Sequence, residues 1–89
     1  MEHNDLRAHV RIVMATVFET TPDALPEAPD TDNVEKWDSL GHLMLLENLE
    51  EAFGVAFEHA ETIEMLCETD ILARLATRLG AVPVLAESA

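Results

Sequence analysis

Apolar residues recur every three or four positions in three long segments of the chain, which is the spacing of one helical face. The first segment spans 5–19 and carries an apolar stripe at Leu6, Val10, Val13, Val17 and Phe18. Asn4 or Asp5 is the expected N-cap, since either side chain can accept a hydrogen bond from a first-turn amide. The segment therefore predicts an amphipathic helix.

Residues 20–38 predict a long loop. Three of the four prolines fall here, and proline removes a backbone donor and fixes φ. Loops of this length are uncommon in small domains and are often functional. Three apolar side chains, Leu25, Val34 and Trp37, are expected to hold this loop against the core.

The strongest predicted helix spans 39–53, with Asp38 or Ser39 as its N-cap and Gly54 as a left-handed residue just past its end. On a helical wheel, the inward face holds Leu45, Leu46, Leu49, Phe53 and His42. The other face and its flank, apolar near Ser39 and acidic farther along, hold Leu40, Leu43, Met44, Glu47, Glu50 and Glu51. We call these six residues the docking face, because an apolar patch rimmed by charge marks an interaction surface.

A short helix is predicted over 60–67, with Ile63 and Leu66 facing inward. These two apolar residues are three positions apart, which places them on one side of a helix.

A last helix is predicted from a Thr69 cap to about Leu79, and Gly80 is expected to end it. No useful period-2 alternation occurs, so the predicted fold class is all-α, with three longer helices and one short helix. The expected organisation is a single domain over 1–80 and a frayed C-terminal tail over 81–89.

The net charge of the chain restricts the classes of binding partner that we expect. The chain has 89 residues, with 18 Asp plus Glu against 5 Lys plus Arg, for a net charge of −13. This balance argues against binding to nucleic acid or to an anionic membrane, since both require Lys and Arg. It favours a partner with a basic patch. The single Cys67, the absence of an apolar signal core and the absence of a ~20-residue apolar run predict a cytoplasmic protein.

Enzymatic and metal-binding interpretations find no support in the sequence. A calcium loop counted from Asp30 needs Gly at its sixth position and Glu at its twelfth, but Glu35 and Gly41 stand there. The four histidines are too dispersed for a zinc site. The complete glycine pattern of a nucleophile elbow is missing around Ser39, and no acid–base pair is apparent. We therefore expect neither an enzyme nor a metal site.

Ser39 stands where the long loop meets the second predicted helix. Unpaired first-turn amides and the helix dipole would favour a phosphate attached there. Asp38-Ser39-Leu40, followed by Leu-Glu-Glu-Ala-Phe-Gly-Val over 49–55, resembles the acyl carrier protein family. The resemblance covers about 6–79 and includes the acidity, the long first loop and the short third helix. Trp37 and the Gly41-His42 pair resemble discrete carriers of specialised pathways.

The resemblance implies a small, right-handed, acyl-carrier-protein-like four-helix bundle that is itself no enzyme. A phosphopantetheinyl transferase would attach 4′-phosphopantetheine from coenzyme A to Ser39, and Asp38 would present that serine. The arm would carry acyl groups as thioesters in a polyketide, fatty-acid-like or related pathway. The docking face would bind acyl-loading, condensing or other acyl-processing enzymes through their basic patches, and the carrier would act as a monomer.

Two residues depart from the family pattern, since Gly41 and Met44 stand where acids are common. The resemblance then implies a dedicated set of partner enzymes. Two alternatives stay open: an aminoacyl or peptidyl carrier of a nonribosomal peptide pathway, and, from a different class, an acidic adaptor that does not carry cargo. The adaptor would bind a basic partner through the docking face and would not need Ser39.

Overall fold

The computed structural model describes residues 3–79, and within this range the chain is helical and contains no strand. Its elements are α1 (His3–Val17), α2 (Ser39–Phe53), α3 (His59–Thr62) and α4 (Glu68–Leu79), with a 3₁₀ turn at Pro22–Ala24 in the first loop. The all-α class, the long first loop and the short third helix are therefore confirmed. Gly80 and the predicted tail at 81–89 lie outside the described residues. None of the described helices combines the length and apolar character needed to cross a bilayer.

One apolar core unites the long helices and the first loop. Helix α1 packs against both α2 and α4. The core is built from Leu6, Val10 and Met14 of α1, Leu45, Leu46 and Leu49 of α2, and Ile71, Leu72 and Leu75 of α4. The predicted inward positions of α2 are thus confirmed for its leucines, while Phe53 packs against the core half-buried. Val13 and Val17, predicted in the stripe of α1, also lie half-buried at its edge.

Helix α1 ends two residues before the predicted boundary at Glu19. Its last residue is Val17, and Glu19 adopts the left-handed conformation with φ 58°. The Thr20 amide then donates to the Ala15 carbonyl at 2.8 Å, which closes the helix end in the geometry of a Schellman motif. Sequence periodicity missed this stop because glycine or asparagine normally occupies the left-handed position.

Two predicted N-caps are wrong because their helices begin earlier. Helix α1 already includes His3, so Asn4 and Asp5 lie within helical sequence. Helix α4 begins at Glu68, which places Thr69 inside its first turn. Acidic side chains in a first turn are still favourable there, since they face the positive end of the helix dipole.

The first loop is anchored by the three predicted apolar side chains. Leu25, Val34 and Trp37 are all buried in the core. Two arginines of α1 hold the loop from the outside. Arg7 donates to the Glu27 carbonyl at 2.8 Å, and Arg11 donates to the carbonyls of Pro22, Leu25 and Pro26 at 3.1–3.2 Å.

The prediction for the short helix is wrong in its inward residues. Helix α3 ends at Thr62, so the helical spacing assumed over 60–67 does not continue. Ile63 and Leu66 are 62% and 44% exposed, and Met65 enters the core fully buried. A single helical turn has too few residues for its own periodicity to fix the buried face, and the packing against the core decides instead.

Candidate functional site

Ser39 is the first residue of α2 and is exposed to solvent. Asp38 is the N-cap, as predicted, and its Oδ1 accepts a hydrogen bond from the Gly41 amide at 2.8 Å. At the other end, Gly54 adopts φ 66° and terminates the helix in the predicted left-handed conformation. Ser39 therefore lies at a well-capped helix N-terminus and is exposed to solvent.

The start of α2 lies directly against the loop that precedes it, and the contact requires glycine at position 41. Gly41 is buried, and a Cβ built on its backbone would lie 2.0 Å from the carbonyl oxygen of Lys36. The sequence alone gives no packing reason for a glycine at this position, where acids are common in the family that the chain resembles. The structure gives a steric reason: no side chain fits between α2 and the Lys36 carbonyl without moving one of them.

His42 ties three parts of the chain together beside Ser39. The indole Nε1–H of Trp37 donates to His42 Nδ1 at 2.9 Å, and His42 Nε2 lies 2.8 Å from the Thr62 carbonyl oxygen. The two rings lie nearly parallel, with an interplanar angle of 24° and 6.3 Å between their centroids. His42 is half-buried. It therefore lies on the inward flank of α2, as predicted, without being fully enclosed by the core. Its bonds join the end of the first loop, α2 and α3.

These contacts fix the tautomer of His42. An indole N–H only donates, so Nδ1 must be the acceptor, and a carbonyl only accepts, so Nε2 must carry the hydrogen. We expect ¹⁵N spectra of His42 to show the Nε2–H tautomer. Trp37→Phe removes the donor to Nδ1 and is expected to weaken this preference. A predominant Nδ1–H form in the wild-type protein would contradict the network.

A surface cleft of about 290 Å³ opens beside Ser39. Its lining residues come from the first loop, the start of α2 and the α3–α4 connection, and are Thr31, Trp37, Asp38, Ser39, His42 and Leu66. We call it the Ser39 cleft. The cleft was not predicted, because Thr31 and Leu66 are far from Ser39 in sequence and only the tertiary fold places them next to the serine.

The apolar half of the docking face is exposed beside Ser39. Leu40, Leu43 and Met44 are 66%, 55% and 40% exposed, respectively. Their predicted outward orientation is therefore confirmed. Exposed Ile63 and Leu66 add apolar surface on the α3–α4 connection, which the sequence had assigned to the core.

The three acidic residues of the docking face differ in their exposure to solvent. Glu47 and Glu51 are exposed. Glu50 is half-buried, and its Oε2 accepts a hydrogen bond from the Phe57 amide at 2.8 Å. Glu50 therefore supports the connection between α2 and α3, while Glu47 and Glu51 are free to meet a partner's cations.

All the basic side chains form ion pairs with acids outside the docking face. The ion pairs are Arg7 and Arg11 with Glu68, Lys36 with Glu19, Arg74 with Glu61 and Glu64, and Arg78 with Glu61. The contact with Glu68 raises the pKa of Arg7, and Lys36 lowers the pKa of Glu19. These pairs involve all 5 Lys and Arg of the chain, and none reaches the acids of the docking face within residues 3–79. The negative charge of the docking face is therefore not neutralised by these basic side chains.

Comparison with known proteins gives no significant match to a family model, to a curated protein or to a solved structure. The function therefore has to be argued from Ser39, the Ser39 cleft and the docking face. Among residues 3–79, no three His, Cys, Asp or Glu side chains come together in an arrangement that would hold a metal ion.

Proposed function

We propose that this chain is a discrete acyl carrier protein that is modified on Ser39 with 4′-phosphopantetheine. The observation that carries the proposal is an exposed serine at the first position of α2, preceded by its capping Asp38 and followed by exposed Leu40, Leu43 and Met44. This arrangement supports the family resemblance of the Asp38-Ser39-Leu40 motif. The pathway would be a polyketide, fatty-acid-like or related one.

The residues at the site suit the attachment of a phosphate-linked group. In the reaction, Ser39 Oγ would form a bond to the β-phosphorus of coenzyme A, and the pyrophosphate bond would break to release adenosine 3′,5′-bisphosphate. A base on the transferase would take the serine proton. The product phosphodiester is anionic, and the N-terminus of α2 would stabilise it through the helix dipole and first-turn N–H groups. Asp38 would keep that terminus in place through its bond to the Gly41 amide.

The attached arm would supply a thiol that carries acyl groups as thioesters. The carrier's own residues would serve recognition: Leu40, Leu43 and Met44 would pack against the partner, and Glu47 and Glu51 would attract its basic patch. One covalent attachment would then raise the effective concentration of cargo at each enzyme that docks. The partners we propose are a phosphopantetheinyl transferase and acyl-loading, condensing or other acyl-processing enzymes. We expect the carrier to work as a cytoplasmic monomer.

The proposal predicts a single modification at a single residue. Incubation with coenzyme A, magnesium and a broad-specificity phosphopantetheinyl transferase should add the mass of one phosphopantetheine, as measured on the intact protein. Ser39→Ala should gain nothing while keeping the wild-type circular dichroism spectrum, because Ser39 is exposed and Asp38 supplies the cap.

The peptidyl-type carrier and the adaptor predict different results in this experiment. A modified protein that accepts aminoacyl but not acyl cargo would be a peptidyl-type carrier. An unmodified wild-type protein, tested folded and with several transferases, would overturn the carrier proposal. If Ser39→Ala then bound a basic partner as tightly as wild type does, the adaptor would be the better interpretation.

A further inference from the structure

We propose that the Ser39 cleft is a binding site for the pantetheine portion of the group attached to Ser39. The inference rests on the proposed function and adds a place for the arm on the surface of this carrier. The arm would lie against the first loop and the α3–α4 connection instead of projecting freely into solvent.

The position of the cleft identifies its occupant. Ser39 is itself one of the lining residues, so any group bonded to its Oγ begins at the edge of the cleft. Thr31 and Leu66 line the same cleft and come from different parts of the chain. A flexible arm tethered at Ser39 would reach them at a high effective concentration, so even weak contacts would be populated.

Backbone hydrogen bonds join the two segments of the chain that contribute Thr31 and Leu66 to the cleft. The Thr31 amide donates to the Leu66 carbonyl at 3.2 Å, and the Glu68 amide donates to the Pro29 carbonyl at 2.9 Å. These two bonds form an isolated antiparallel bridge between Asp30 and Cys67, which fastens the first loop to the α3–α4 connection.

Two of the lining side chains, Trp37 and His42, are held in place by packing and hydrogen bonds. The Trp37 side chain is only 2% exposed and packs against Phe18, with 5.6 Å between ring centroids. Both ring nitrogens of His42 are hydrogen-bonded. A preformed site costs little ordering entropy when it is filled, which favours binding of the arm over free motion.

The residues that line the cleft complement a slender chain that carries both amides and methyl groups. Trp37 and Leu66 offer apolar surface, the Thr31 hydroxyl donates or accepts, and the Asp38 carboxylate accepts from an amide or hydroxyl. Pantetheine combines two amides, a hydroxyl and a pair of geminal methyl groups. The volume of about 290 Å³ is just below the range of about 300–1,000 Å³ typical of ligand pockets. The cleft therefore suits the arm and leaves a long acyl chain outside it.

The test compares amide and indole NMR spectra of the unmodified and phosphopantetheinylated protein. We expect resonances of Thr31, Leu66 and the Trp37 indole N–H to move together with those of 38–42. We also expect nuclear Overhauser contacts between the geminal methyls of the arm and Leu66. Changes confined to 38–42, with no contacts from the arm, would overturn the inference. Failure of the proposed function is distinct, because then no mass would be gained and no modified sample would form.

A matched pair of variants separates the cleft from the surrounding apolar surface. Leu66→Ser alters the cleft, while Ile63→Ser alters an apolar side chain of the same connection that does not line it. Both side chains are exposed, so both variants are expected to fold. Leu66→Ser should lose the arm contacts and the change at Thr31 on modification, and Ile63→Ser should keep both. Equal behaviour of the two variants would contradict a binding site in the cleft.

Discussion

Replacing Gly41 with alanine is expected to destabilise the protein by about 2–3 kcal/mol, the upper part of the usual cost of overpacking a core. The added Cβ would lie 2.0 Å from the Lys36 carbonyl oxygen, which belongs to the backbone and cannot rotate away as a flexible side chain would. Elsewhere in a helix the same change normally stabilises by about 1 kcal/mol. The predicted sign is therefore opposite to that of helix propensity, and equilibrium unfolding in urea would measure it.

Gly54 provides the matched control at the other end of α2. It has φ 66°, but a Cβ there would meet no atom within 4 Å. Gly54→Ala should then cost only the left-handed backbone strain of roughly 1–2 kcal/mol. Stabilisation by Gly41→Ala would show that α2 does not pack against the Lys36 carbonyl as described.

The steric role of Gly41 bears on the proposed carrier function. The sequence suggested that a missing acid at this position reflects the choice of partners. The structure supports a simpler cause, because an acidic side chain would not fit beside the Lys36 carbonyl. Modification of Ser39 in any Gly41 variant would therefore have to be interpreted together with its folding.

Helix α2 was predictable because its signals are local. Asp38 caps its start and Gly54 ends it with a left-handed residue, and each needs only its immediate neighbours to act. The leucines at 45, 46 and 49 follow from helical period alone. The apolar part of the docking face follows from the same helical wheel.

The α3 region and the Ser39 cleft were not predictable in this way. Ile63 and Leu66 have the spacing of a buried stripe, yet the helix stops at Thr62 and Met65 is buried instead. The cleft depends on Thr31 meeting Leu66 across the fold. Such contacts are set by packing between segments far apart in sequence, and single-residue patterns do not encode them.

Replacing Glu68 with alanine is expected to destabilise the protein by about 3 kcal/mol, since removing one partner of a buried ion pair leaves charge uncompensated. The Glu68 side chain is only 6% exposed, and its two oxygens bind Arg7 Nε at 2.9 Å and Arg11 Nη1 at 3.0 Å. Chemical denaturation would give the loss in unfolding free energy. Hydrogen exchange should also rise in the first loop, because the same arginines hold its carbonyls.

Glu64 is the matched control for this prediction. It also pairs with an arginine, Arg74, at 3.1 Å, but its side chain is 67% exposed. Solvent screens such a pair, so Glu64→Ala should cost no more than about 1 kcal/mol. Equal losses in the two variants would mean that burial of Glu68 adds nothing to its contribution.

A variant that replaces Glu68, Arg7 and Arg11 together with apolar residues separates two possible sources of this stability. Apolar replacement of a buried ion cluster is often neutral or stabilising by about 1–4 kcal/mol, because no charge remains to be desolvated. Here the guanidinium groups also donate to four loop carbonyls, which would lose their partners. We therefore expect the triple variant to stay well below wild-type stability. Wild-type stability would instead show that the first loop is held by its apolar anchors, and that the arginines serve only to neutralise Glu68.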